Sequence, residues 1–166
     1  MKAHLKYLSY VLRHKWYVFI ACCRMGIVWQ GITHDLSKFL PSEWFPYANY
    51  FYANPSKPKR NETGYYKPYD TGDESFDLAW LKHQKRNPHH WHYWTSPKGN
   101  GGIKLFSMPI RYRKEMIADW IGAGRAQGKP DTRAWYEANK DKMQLHEDTR
   151  AWVEQVLHEE GGGSDG

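Results

Sequence analysis

The chain has 166 residues, enough for one domain with a buried core, and carries a formal net charge of +6. That charge favours an anionic partner or substrate, but it is too modest and too evenly spread to single out nucleic acid. The two cysteines, Cys22 and Cys23, are sequence neighbours and make a poor disulfide pair, which excludes a disulfide-stapled scaffold and fits a reducing, cytoplasmic setting.

A first helix is expected from about His4 to Val28, with Leu5, Leu8, Val11, Leu12, Val18, Ile20 and Cys22 as its apolar surface. Arg24 and Gly26 interrupt the apolar run from Trp16 to Trp29, which is too short to span a bilayer, so no membrane partner is expected. Gly31 breaks the period and leads into Ile32-Thr33-His34-Asp35-Leu36-Ser37-Lys38-Phe39. Neighbouring residues point about 100° apart on a helix, but at an irregular helix end His34 and Asp35 can turn toward one ion. An imidazole beside a carboxylate suits a divalent metal.

A second helix is expected near Ser42 as N-cap, with Glu43 and Trp44 following and Pro46 in its first turn. Residues 54–72 show no period and read as a long loop. The third helix runs from about Asp73 to Arg86, with Phe76, Ala79, Trp80 and His83 on one stripe. Asn87-Pro88 ends it, and His89-His90-Trp91-His92-Tyr93-Trp94 follows. Thr95 to Ser107 is a second, Gly-rich loop.

Pro109 opens a fourth helix that reaches about Gln127, its stripe formed by Met116, Ile117, Trp120 and Ile121 with Asp119 alongside. Two more helices are expected over Asp131 to Lys142 and Leu145 to Glu159. They share an Asp-Thr-Arg-Ala-Trp echo that reads as an N-capped start at Asp131 and at Asp148. Residues 160–166 read as a disordered tail after a domain spanning 1–159. No segment alternates as a strand. The expected fold is all-α, one bundle of about six helices with two long loops.

Candidate ligands fall on separate helices or their ends: His14 on the apolar face of the first, His34 and Asp35 after it, His83 on the third, Asp119 on the fourth. A carboxylate beside an apolar stripe is costly to bury unless it is paired or bound to a cation, which makes Asp119 the most telling after the His34-Asp35 pair. Each also has an ordinary reading. His14 and His83 suit hydrogen-bonded core histidines, and Asp119 suits a pair with Arg113, Lys114 or Arg125.

Their order along the chain resembles the HD superfamily of metal-dependent phosphohydrolases, and His34-Asp35-Leu36-Ser37-Lys38 looks like the His-Asp-x-x-Lys form found there. The resemblance covers roughly residues 4 to 126. The run His83-Gln84-Lys85-Arg86-Asn87-Pro88-His89-His90-Trp91 also resembles a phage and bacterial domain family of unknown function. The HD resemblance implies His14, His34, Asp35 and Asp119 as ligands of one metal. It further implies His83 with His89 or His90 for a second ion, and Asp35 as the bridge between them. The Gly-Tyr-Pro signature of the better-known branches is absent.

The chemistry so implied is hydrolysis of a nucleotide or other phosphoester by water activated at Mn, Fe, Ni, Zn or Mg. Lys38, Lys82, Arg86 and Arg125 are the candidate partners for substrate oxygens, each near a proposed ligand in sequence. Lys38 also joins Asp35 and Glu43 among the candidate catalytic residues, Glu43 as an acid/base or supporting group. Two alternatives stand beside this. Some relatives with two irons oxidise small molecules with dioxygen. A non-catalytic module would instead dock nucleic acid or protein through Trp91, Tyr93, Trp94 and the basic, aromatic stretch from Lys57 to Tyr69.

Overall fold

Apolar spacing over the first two dozen residues forms one long helix, α1 (Lys2–Arg24), whose buried face is Tyr7, Val11, His14, Val18, Ala21 and Cys22. The computed structural model describes residues 1–53 and 70–161. Most of the loop expected over 54–72, including the Lys57 to Tyr69 stretch, therefore lies outside the described residues, as does the tail over 162–166. Among the described residues the protein is an all-α bundle of seven α-helices with one small hairpin. No described helix is long and apolar enough to cross a membrane.

The first helix ends earlier than expected, and the seventh helix lies just beyond it, where none was expected. The chain leaves α1 through Met25 and Gly26, the latter at φ +71°, and restarts as the six-residue α2 (Val28–Thr33). Gly31 does not break a helix; it lies inside α2, where an added Cβ would sit 2.9 Å from Cys22 Cβ and 3.2 Å from Phe19 Cα. Its missing side chain lets α2 press against α1.

After a 3₁₀ turn at Leu36–Phe39 comes α3 (Pro41–Tyr52). Its N-cap is Leu40 rather than Ser42, because Pro41 fits the first helical position. Pro46 consequently lies inside the helix and not in its first turn. Asp73 caps α4 (Glu74–Arg86) by accepting from the Phe76 amide at 3.0 Å. Trp91–Trp94 form a 3₁₀ turn. The Gly-rich loop after it holds an antiparallel hairpin, β1 (Thr95–Pro97) with β2 (Ile103–Leu105), which pairs Ser96 with Lys104. Three-residue strands are too short to show alternation, so the expectation of no strand is corrected here.

The chain ends with α5 (Ile110–Ala126), α6 (Thr132–Asn139) and α7 (Glu147–Gly161). Asp131 caps α6 through the Ala134 amide at 2.8 Å. Asp148 is not a cap: α7 starts one residue earlier, and Thr149 is buried, its hydroxyl accepting from the Met108 amide at 3.1 Å. α7 also runs to Gly161, past the point where the tail was expected.

Three apolar clusters hold these elements. Tyr7, Val11, Tyr47, Ala48, Phe76 and Ala79 join α1, α3 and α4. Val18, Ala21, Cys22, Ile27 and Ala118 join α1 to α5. Met108, Met116, Ile117, Tyr136, Met143, Leu145, Val153 and Leu157 form the C-terminal core. Helices α1 and α5 pack most extensively, and Gly122 permits it: a Cβ there would lie 2.3 Å from Val18 Cγ2. Polar side chains fill the space these clusters leave.

Candidate metal centre

Asp35 sits at the middle of that space because of the backbone that carries it. His34 closes α2 in an extended conformation (φ −49°, ψ 126°), and Asp35 follows at φ 54°, ψ 29°. It is the one non-glycine residue with positive φ among the described residues. The left-handed conformation costs an aspartate about 1 kcal/mol, and such strain collects at functional sites. Its effect here is to turn two consecutive side chains inward, as the irregular helix end predicted.

Both oxygens of Asp35 are buried, and each faces its own set of groups. Oδ1 lies 3.3 Å from His83 Nε2 and 3.4 Å from His89 Nε2. Oδ2 lies 3.4 Å from His34 Nε2, 3.7 Å from His14 Nε2 and 2.5 Å from Lys38 Nζ. Asp119 Oδ1 closes the second set, 3.2 Å from His14 Nε2 and 3.3 Å from His34 Nε2. Two four-residue groups, each with ligand atoms within 4.8 Å of one another, therefore share Asp35: Asp35, His83, His89, His90 and His14, His34, Asp35, Asp119. All seven expected ligands come together, and His89 and His90 both enter the first group.

The donor atoms fit a metal. The Nε2 atoms of His14, His34, His83, His89 and His90 are all buried and make no hydrogen bond among the described residues. Orphaned buried ring nitrogens are expensive, and five in one cluster, four of them 3.3–3.7 Å from the oxygens of Asp35, have a common explanation in a bound cation. Three of the opposite ring nitrogens, those of His34, His83 and His89, are held from behind. His83 Nδ1 is 2.8 Å from Glu43 Oε2, and Glu115 Oε1 is 3.1 Å from His34 Nδ1 and 3.2 Å from His89 Nδ1. A carboxylate on Nδ1 fixes the tautomer that leaves Nε2 free to ligate. Glu115 with His34 and His89 also has the spacing of a third ion site. Hydrogen-bond distances to both Nδ1 atoms favour the orienting role instead.

Electrostatics follow the same division. Burial alone would raise the Asp35 pKa, yet His34, Lys38 and His83 hold it well below the usual range. Burial likewise works against Asp119, which His14 and His34 keep ionised. Glu115 is kept ionised against burial by His34 and His89, and Glu43 by His83 and Arg86. Burial pushes His83 down, and His90 well down with help from His89 and His83, so both stay neutral as ligation requires. His34 moves the other way: burial opposes its charge, but Asp35, Asp119 and Glu115 favour it strongly. The field that would hold a proton on His34 would hold a cation in its place.

Lys38 is nine-tenths buried against Asp35, which outweighs desolvation and keeps it charged. Lys15 reaches the His34 carbonyl and fixes the turn. Arg86 bonds Glu43 Oε1 at 2.7 Å with its side chain partly exposed. Lys82 is half-buried on α4, one residue before His83. Asp119 and Lys38, 15% and 12% exposed, mark where solvent reaches the cluster.

One expectation needs correction, and one is narrowed. Arg125 does not join the cluster. Six residues beyond Asp119 is about 240° around a helix, so it lines a separate groove with Arg24 and Arg133. Glu43 faces His83 Nδ1 and Arg86, which makes it a supporting carboxylate rather than one facing the shared oxygens of Asp35. Sequence reasoning missed Glu115 altogether. Its signal was the i, i+4 spacing to Asp119 on the α5 face that carries Ala118 and Gly122. Trp91 and Trp94 pack against the C-terminal core, and Trp94 Nε1 donates to the Pro88 carbonyl at 2.7 Å, which leaves Tyr93 as the exposed ring of the trio.

No curated protein and no solved structure matches the chain. The model of a family of unknown function, DUF5662, matches residues 3–159, a span that includes every residue of the cluster, and the chain belongs to that family.

Proposed function

We propose that the protein is a metal-dependent phosphohydrolase whose centre takes two divalent ions sharing Asp35. The observation that carries this reading is the convergence of two histidine-carboxylate sets on the two oxygens of one buried aspartate. His14, His34 and Asp119 would hold one ion with Asp35, and His83, His89 and His90 the other. Such ions supply Lewis acidity toward a phosphoryl oxygen and activate water for attack on phosphorus. Histidine-rich ligation suits Mn, Fe, Ni or Zn better than Mg.

The chain's own residues do the rest. Glu115 holds the imidazoles of His34 and His89, and Glu43 that of His83, in the ligating tautomer. Lys38, at the exposed edge beside Asp119, offers a fixed positive charge to a non-bridging or leaving oxygen. Lys82 and Arg86, one turn apart on α4, would offer further positive charge to the body of the substrate. A nucleotide or another small phosphoester meets these requirements, and the HD resemblance points the same way.

The test is phosphate release from a panel of mono-, di- and cyclic phosphoesters by protein reconstituted separately with Mn, Fe, Ni and Zn. Metal-dependent release that Asp35→Ala abolishes and Lys38→Ala reduces at least tenfold (about 1.4 kcal/mol) is expected. A loaded protein that cleaves none of them but consumes dioxygen would contradict the reading.

A further inference from the structure

The face of α1 opposite the core is apolar too. Leu5, Leu12 and Trp16 fall within about 40° of one another on the helical wheel, and each is more than half exposed. Phe19 continues the stripe, its ring 6.2 Å from that of Trp16, and Phe19 in turn abuts α2 at Gly31. Beyond it Trp29 and Ile32 on α2 and Leu36 on the following turn are also half or more exposed. Taking about 150–200 Å² for each large side chain, Leu5, Leu12, Trp16, Trp29, Ile32 and Leu36 together present roughly 500–700 Å². That is at or above the largest apolar patch of an ordinary monomer.

Charge decides what covers it. Within residues 1–42 the only acidic side chain is Asp35, which is buried in the metal centre. Lys2, Lys6, Arg13 and Arg24 are exposed and form a row along one edge of the apolar stripe, about 60–100° around α1. A second copy of this chain would set that basic row against itself, at a cost in like-charge repulsion. An anionic surface with an apolar interior matches both features.

We propose that α1, α2 and the Leu36–Phe39 turn form a docking face for an anionic phospholipid bilayer. Trp16, Trp29 and the leucines enter the boundary beneath the headgroups, and the basic row pairs with lipid phosphates. The protein lies on the membrane and does not cross it, in keeping with the absence of a spanning helix among the described residues. This reverses the sequence-based expectation of no membrane partner, and it holds or fails independently of the metal centre.

The experiment is co-sedimentation of the full chain with vesicles of phosphatidylcholine alone and of phosphatidylcholine mixed with phosphatidylglycerol. Binding to the mixed vesicles only is expected, with a blue shift in tryptophan fluorescence. Trp16→Ala with Trp29→Ala should weaken it at least tenfold, and Lys6→Ala and Arg13→Ala about fivefold each, from about 1 kcal/mol per basic residue near the surface. All are exposed, so unchanged melting temperatures would confirm that the fold is kept. No binding to mixed vesicles, or binding indifferent to the tryptophan pair, would overturn the proposal. So would a dimer by light scattering that Trp16→Ala dissolves, since the face would then belong to a second copy.

Discussion

Gly122→Ala tests whether the α1–α5 contact sets the metal centre. A Cβ at this position would lie 2.3 Å from Val18 Cγ2 and 2.9 Å from the Val18 backbone nitrogen, where about 3.5–4.0 Å is ordinary. Val18 is β-branched on a helix and has essentially one rotamer, so it cannot swing aside. Relief requires α1 and α5 to separate by roughly 0.5–1.2 Å. Overpacking of this kind costs about 1–3 kcal/mol, and the helix-propensity gain of alanine over glycine returns about 1. The net loss of about 0–2 kcal/mol lowers the melting temperature by no more than about 8 °C.

The effect on metal binding should be larger than that on stability. His14 stands one turn before Val18 on α1, and Asp119 one turn before Gly122 on α5; their side chains are 3.2 Å apart. Ligand positions tolerate only about 0.2 Å. The variant should therefore keep its fold and the ion held by His83, His89 and His90, while losing the ion of the His14 half. Melting curves with elemental analysis of the same sample would show it. An unchanged or raised melting temperature with both ions retained would refute the reasoning.

Asp35→Asn should keep the left-handed turn, which asparagine tolerates, but bind neither ion, as elemental analysis would show. Retention of either ion would contradict the shared-carboxylate arrangement. Glu115→Ala, which strips the acceptor from both His34 and His89, should weaken metal affinity about tenfold to a hundredfold in competition with a chelator; an unchanged affinity would assign Glu115 another role. The His92 pKa is pushed down to about 3 by burial and then by Lys85, so the unfolded chain alone takes up a proton there as pH falls below about 6.5. Its contribution to stability is complete above that pH and is lost as pH drops toward 3. His92→Gln should flatten urea stability between pH 7 and pH 5 relative to the wild type, and an identical pH slope would sink the assignment.

How far the sequence could be read depended on whether a feature is local. The His34-Asp35 pair was legible because adjacent ligand types after a helix are rare, and the inward turn follows from the positive φ that Asp35 adopts. His14, His83 and Asp119 were legible as polar groups on apolar stripes. Glu115 was not, because a glutamate beside a stripe normally reads as solvated surface; only the fold, which brings His34 from the end of α2 and His89 from the turn after α4 onto α5, reveals its two histidine partners. Arg125 misled for the converse reason, since nearness in sequence says nothing about which side of α5 it occupies. The α1–α2 break and the hairpin were hidden by their shortness, six residues and three per strand. The all-α fold itself rests on long periodic segments and was plain.

The most direct test of the account is the metal content of purified, reconstituted protein, measured beside Asp35→Ala. Two ions per chain in the wild type and none in the variant is the predicted result. Protein that takes up no metal, or whose metal is untouched by loss of Asp35, would contradict the account. The five buried imidazoles would then be a packed polar core without an ion.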